Sequence, residues 1–198
     1  MSYKLYTKII ITFLILLFST SFSYAQDPLK FIQNITDEAS KILTKNVDKS
    51  EKANQLIILA EQNVDIKGIG IYTLGKYRKT ITETQKDEYN ELFKAYFLKS
   101  FSSRLSEYSD PKINVISKNI INEKYTMVSS ILVATDKRPE IKIDWRVYTK
   151  NPDKPLIRDL IIEGLSLART QKEEFSSVIQ SADGDITVLF NNLKDFVK

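Results

Sequence analysis

Carboxylates are the residues of this chain best placed to do chemistry, because histidine and cysteine are both absent. Without histidine the usual general base and the commonest metal ligand are missing, and so is every Ser-His or Cys-His nucleophile. Carboxylates can work in pairs without histidine, as in glycoside hydrolysis. Asp144, Asp159 and Glu163 are the ones inside segments that read as strands. Asp144 falls on a polar strand face, where a solvated carboxylate is the ordinary case. Asp159 shares a face with Ile157 and Ile161 if its strand is regular, which predicts partial burial and a partner, naturally an arginine. A structural ion pair is the plainer reading of Asp159 and catalysis the sharper one. No catalytic set, metal-ligand set or cofactor site is assigned.

Gly70-Ile71-Tyr72-Thr73-Leu74-Gly75-Lys76 fits the first seven positions of a phosphate-binding loop, but the eighth is Tyr77, where Ser or Thr must ligate magnesium. The segment also follows a helix rather than a buried strand. The match is read as chance, and the glycines as permitting tight helix turns and close packing. Asn34-Ile35-Thr36 spells a glycosylation sequon inside an expected helix and is discounted.

The elements that must carry these residues are helical first. Asp27-Pro28 predicts an N-cap and first helical position, followed by an apolar face of Phe31, Ile32, Ile35, Ala39, Ile42 and Leu43. Asp48 with Glu51, and Thr82 with Gln85, have capping-box spacing and predict two further helix starts. Between them, residues 65–80 hold three of the five glycines and read as short helical pieces with bends. The helix after Thr82 carries Tyr89, Leu92, Phe93, Tyr96, Phe97, Phe101, Leu105 and Tyr108 at three- and four-residue steps. So wide an aromatic face needs a large cover.

From residue 112 the text becomes β. Residues 112–121 and 124–135 flank a turn at Asn122-Glu123. Ile141, Ile143, Trp145 and Val147 then alternate with Lys142, Asp144, Arg146 and Tyr148, a strand with one buried and one wet face. A last strand begins at Leu156, loosens at Gly164 and passes through Glu163-Gly164-Leu165-Ser166 into a helix bearing Phe175, Val178 and Ile179. That helix is expected to pack back across the sheet, so that both sides of the turn face one interior. A final helix starts near Asp185. The fold class is α+β, a twisted four-stranded antiparallel sheet with N- and C-terminal helices.

Residues 1–25 read as a signal peptide: Lys4 and Lys8, an apolar run from Ile9 to Phe18, and small residues in Ser23-Tyr24-Ala25, with the cut after Ala25. The alternative is an uncleaved anchor, although the run is shorter than the ~20 apolar residues of a spanning helix. Removing this segment leaves 27 basic residues against 25 acidic, a net of +2. That balance makes no case for nucleic acid. Residues 26–198 form a single domain that folds by core burial without disulfides. Composition stops at an exported α+β domain with a large aromatic-rich interior, because apolar pockets are lined as cores are.

The segment Leu74-Gly75-Lys76-Tyr77-Arg78-Lys79-Thr80, followed by Glu91-Leu92-Phe93-Lys94, resembles the MlaC/Ttg2D family, the toluene-tolerance auxiliary proteins. So does Glu163-Gly164-Leu165-Ser166-Leu167 with Phe175 in the next helix. The resemblance runs from about Phe31 to Leu193. It implies a periplasmic carrier of phospholipid, not an enzyme, whose sheet and helices enclose a deep apolar pocket for two acyl chains. The implied partners are an outer-membrane lipoprotein–porin complex and an inner-membrane ABC transporter complex with an MCE-domain subunit. The implied lipid-binding residues are Leu74, Tyr77, Phe93, Tyr96, Phe97, Phe101, Ile143, Trp145, Ile161, Leu165 and Phe175. Leu165, just before the serine and facing the tails, replaces a smaller residue usual there. Lys172 stands where arginine is common. Two other readings stay open: an enzyme using Asp159 or Asp144 with a tyrosine, and a periplasmic adaptor with a solid core.

Overall fold

The computed structural model describes residues 26–108, 111–136 and 138–198. The expected signal peptide lies outside them, as does Asp110 of the turn expected at Asp110-Pro111. Helix α1 (Pro28–Thr44) starts as its sequence demands: the Asp27 carboxylate accepts the Leu29 N–H and Pro28 occupies the first turn. Helix α2 (Lys49–Asn63) is capped by Asp48, which accepts the Glu51 N–H. Helix α3 (Ile66–Thr73) is capped by Asp65 and runs into a 3₁₀ turn, Gly75–Lys79. Thr82 and Gln85 form a reciprocal capping box at the start of α4 (Glu83–Leu105). Four local signals therefore place four helix starts.

The sheet is an antiparallel meander in the order β1 (Ile113–Asn122), β2 (Tyr125–Leu132), β3 (Ile141–Tyr148), β4 (Leu156–Ile162) and β5 (Leu165–Ser166). It has five strands, not four. The added strand exists because Glu163 and Gly164 both take positive φ, 50° and 83°. Two left-handed residues in succession make the tight hairpin turn whose twist matches its strands. The chain thus folds back on β4 before entering α5 (Leu167–Gln180), and α6 (Thr187–Val197) ends the fold.

Strand β1, at the open edge, carries two irregularities, at Ile116 and Ile121. A third lies in β4, where Val147 pairs with Ile157 and Arg146 with Asp159, leaving Arg158 as the extra residue. Because side chains alternate along a strand, one extra residue moves everything beyond it to the other face. Asp159 and Ile161 therefore do not share the face of Ile157, as a regular strand would have required.

One sheet face, with Val128, Leu132, Ile143, Trp145, Val147 and Ile157, packs on Phe31 and Ile32 of α1. The Trp145 indole N–H donates to Ser130 Oγ at 2.8 Å, and Ser130 donates on to the Ile143 carbonyl. The buried polar atoms of this core are thereby satisfied in series. A second interior lies among α3, α4, α5 and α6, and a smaller third among α1, α2 and α4, around Ile42, Leu43, Leu56 and Leu59. The single common interior expected on both sides of the Glu163-Gly164 turn is replaced by two, sharing Val64 at their seam. The physical reason is the bulge and the hairpin: Ile157 is turned toward α1, while α5 carries Phe175 into the helical cluster.

Candidate functional site

The cover for the aromatic face of α4 comes from α3, α5 and α6. Phe93 is the hub. Its ring lies 5.7 Å from Tyr89, 6.2 Å from Tyr96, 6.3 Å from Phe97 and 6.3 Å from Phe175, the last edge-on. Phe97 stacks on Phe101 at 5.9 Å. Offset and edge-on pairs of this kind add to area burial because ring edges and faces carry opposite partial charge. On the α3 side the approach is close: a Cβ on Gly70 would sit 2.8 Å from the Phe93 ring, so only glycine lets the helices meet there.

The polar handles of the buried rings are used internally. Thr73 Oγ1 donates to the Gly70 carbonyl at 2.8 Å and lies 2.8 Å from the Tyr89 hydroxyl. With the threonine hydrogen committed to Gly70, Tyr89 is the donor in that pair. Burial pushes the Tyr89 phenol well above its ordinary value. Burial likewise raises Tyr96, which donates to Gln171 Oε1 at 2.8 Å.

Of the residues implied by resemblance, Leu74, Phe93 and Phe175 are buried in this helical interior, and Tyr77, Tyr96, Phe97 and Phe101 pack partly buried against it. Ile143 and Trp145 belong to the separate core beneath α1. Ile161 is half-buried on the opposite sheet face, and Leu165 is 59% exposed on β5. The structure thus gathers seven of the eleven and leaves four elsewhere. Leu189, Phe190 and Leu193 of α6 complete the same interior. Their helical spacing was visible in the sequence, but nothing local told which core they would join.

Within the helical interior Leu74, Tyr89, Phe93 and Ile179 are packed to no more than 2% exposure. Depressions of about 600 Å³ lie on the surface, one between α3 and α4 beside Lys67, Asp87 and Glu91, another between α1 and α2 beside Asp37, Lys41 and Ile58.

The strand carboxylates hold structure. Asp159 is 3% exposed; Oδ1 accepts the Ala168 N–H at 3.0 Å, and Oδ2 accepts the Ser166 hydroxyl at 2.6 Å and lies 3.3 Å from Arg146. The expected arginine partner is present, and the carboxylate ties the start of α5 to the sheet. Asp144 accepts from Ser129 Oγ at 2.6 Å and pairs with Lys142 at 3.2 Å, while Glu163 accepts the Lys142 backbone N–H. Gly70 to Thr73 ends α3, and Gly75 and Lys76 open the 3₁₀ turn that follows, rather than a phosphate-cradling loop after a strand.

Comparison with known proteins places this arrangement. Residues 33–195 match the family described as MlaC protein. The fold is similar to a solved phospholipid-binding protein from Ralstonia solanacearum, determined in complex with a phospholipid. The two share 19% sequence identity over 87% of this chain and 97% of that one, with a TM-score of 0.72.

Proposed function

The chain belongs to the MlaC family, and from that premise we propose that it is a phospholipid-binding protein of the periplasm rather than an enzyme. In this reading it carries lipid between the outer and inner membranes as the soluble member of an Mla-type transport system. Its partners are then an outer-membrane lipoprotein–porin complex and an MCE-domain ABC transporter, with residues 1–25 as the export signal.

The observation that carries the reading is the helical interior, built of rings and aliphatic side chains drawn from four helices. Each CH₂ buried there is worth ~0.8 kcal/mol, so acyl chains supply affinity without a specific polar contact. Tails enter by parting α3 and α5 from α4. Leu74, Tyr77, Phe93, Tyr96, Phe97, Phe101 and Phe175 meet them, and Leu165 serves from the surface as a rim residue.

The test is native mass spectrometry of protein purified from a bacterial periplasm, with lipid extraction of the same sample. Near-stoichiometric phospholipid is the expected result. A lipid-free mass, unchanged after incubation with liposomes, would overturn the carrier reading in favour of an adaptor with a solid core, which the dense packing around Phe93 would then explain.

A further inference from the structure

Leu74 and Tyr77 root a short cationic turn in the helical interior. Leu74 is 1% exposed and Tyr77 packs partly buried against the same cluster, while Lys76, Arg78 and Lys79 of the 3₁₀ turn stand exposed. Gly75 enters that turn at φ 56°, and a Cβ there would lie 3.3 Å from the Lys172 Cε. The stem of Lys172 therefore runs across the turn, and its ammonium joins the same patch. Lys172 Nζ lies 5.5 Å from the ring centre of Tyr72, and Lys76 Nζ 5.1 Å from that of Tyr77. Tyr72 is 39% exposed.

Among the described residues, none of these four cations has a carboxylate within ion-pair distance. Lys94, Lys118, Arg158 and Lys194 elsewhere each hold one. A chain whose residues 26–198 carry a net of only +2 thus concentrates four uncompensated charges beside two tyrosines.

We propose that Lys76, Arg78, Lys79 and Lys172 dock the protein onto an anionic phospholipid surface. In a 3₁₀ turn side chains three apart eclipse, so Lys76 and Lys79 leave on one side of it and Arg78 on another. That spread suits a laterally continuous layer of phosphates better than a fixed set of carboxylates on one protein. Tyrosine settles at headgroup depth, where ring and hydroxyl are both satisfied, and the exposed Tyr72 is free to do so. The inference rests on the carrier reading in taking lipid as the partner, and it puts the docking turn against the interior that would take the tails.

The experiment is co-sedimentation of the purified protein with vesicles of phosphatidylcholine alone or mixed with phosphatidylglycerol, across a salt series. Each basic residue at an anionic surface contributes on the order of fivefold to affinity. The expected result is salt-sensitive binding to the anionic vesicles only, weakened on the order of a hundredfold in the K76E/R78E/K79E variant. A K41E/K49E/K154E variant, equal in charge change and equally exposed, keeps wild-type binding. Equal loss in both variants, equal binding to neutral vesicles, or capture by an acidic protein surface without vesicle binding each overturns the proposal. Co-purified lipid is measured on the same preparations. Vesicle binding without cargo would sink the carrier reading alone, and cargo without vesicle binding would sink the dock alone.

Discussion

Tyr89 places a phenol where no water competes for it, with Thr73 as its acceptor. Its raised pKa makes the folded chain hold a proton that the unfolded chain releases. The contribution to stability is therefore level below pH 10.0, the ordinary tyrosine value, and is lost as pH climbs past it toward the folded value. Tyr89→Phe is expected to cost about 1 kcal/mol near neutrality for the missing hydrogen bond and to flatten the alkaline decline. Denaturant midpoints on both sides of pH 10.0 read the two effects together, and an unchanged alkaline slope in the variant would assign the decline to other groups. Asp159 shows the complementary case. It was legible as a carboxylate in need of a partner, and Arg146 is that partner. Its face was not legible, because nothing in Leu-Ile-Arg-Asp-Leu-Ile-Ile marks Arg158 as the residue left out of register.

Helix starts were the most readable elements, since caps act over three residues and carry their own geometry. Thr82 and Gln85 needed nothing beyond their neighbours to be recognised. The alternation from Ile141 to Tyr148 was equally local, and of its inward residues Ile143, Trp145 and Val147 are buried and Ile141 partly so. The hairpin at Glu163-Gly164 was harder, because its first residue is not the asparagine or aspartate that usually takes a left-handed conformation. A loosening at Gly164 hides β5, and that short strand leaves Leu165, which the resemblance implies faces the tails, mostly in water. Leu165→Glu is accordingly expected to leave the melting curve unchanged to within about 0.5 kcal/mol. If Leu165 forms the rim of lipid entry, the same variant carries less phospholipid per protein by native mass spectrometry. A wild-type lipid ratio would remove it from the site. The division of the aromatic stripe between interiors was beyond sequence altogether, since it depends on which distant helices arrive to cover it.

The molecule has a sheet core under α1 and a helical core beyond β4, and one of the contacts that join them runs between α3 and β4. Val64 bridges to Ile157, and the Asp65 N–H donates to the Ile157 carbonyl at 2.9 Å. Arg158, freed by the bulge, donates to Asp65 Oδ2 and, at 3.0 Å, to the Tyr125 hydroxyl, with its guanidinium 4.2 Å from the Tyr148 ring centre. Asp65 also caps α3, so one carboxylate serves both the helix and the junction. Arg158→Met keeps the stem and removes the tie. Amide exchange is then expected to quicken several-fold in α3, α5 and α6 while β2 and β3 keep their protection, because the two cores can open separately. Uniform acceleration throughout would show one cooperative unit instead. The sheet's two borders bear on a different property. An open border with free N–H and C=O groups can template the addition of strand after strand. Here one border is β1, ten residues long but bulged twice, and the other is β4, bulged at Arg158 and covered at Ile161 and Ile162 by the two-residue β5. Neither offers a long straight run for strand addition, so edge-to-edge pairing is disfavoured although Ile116, Ile120 and Ile121 are exposed.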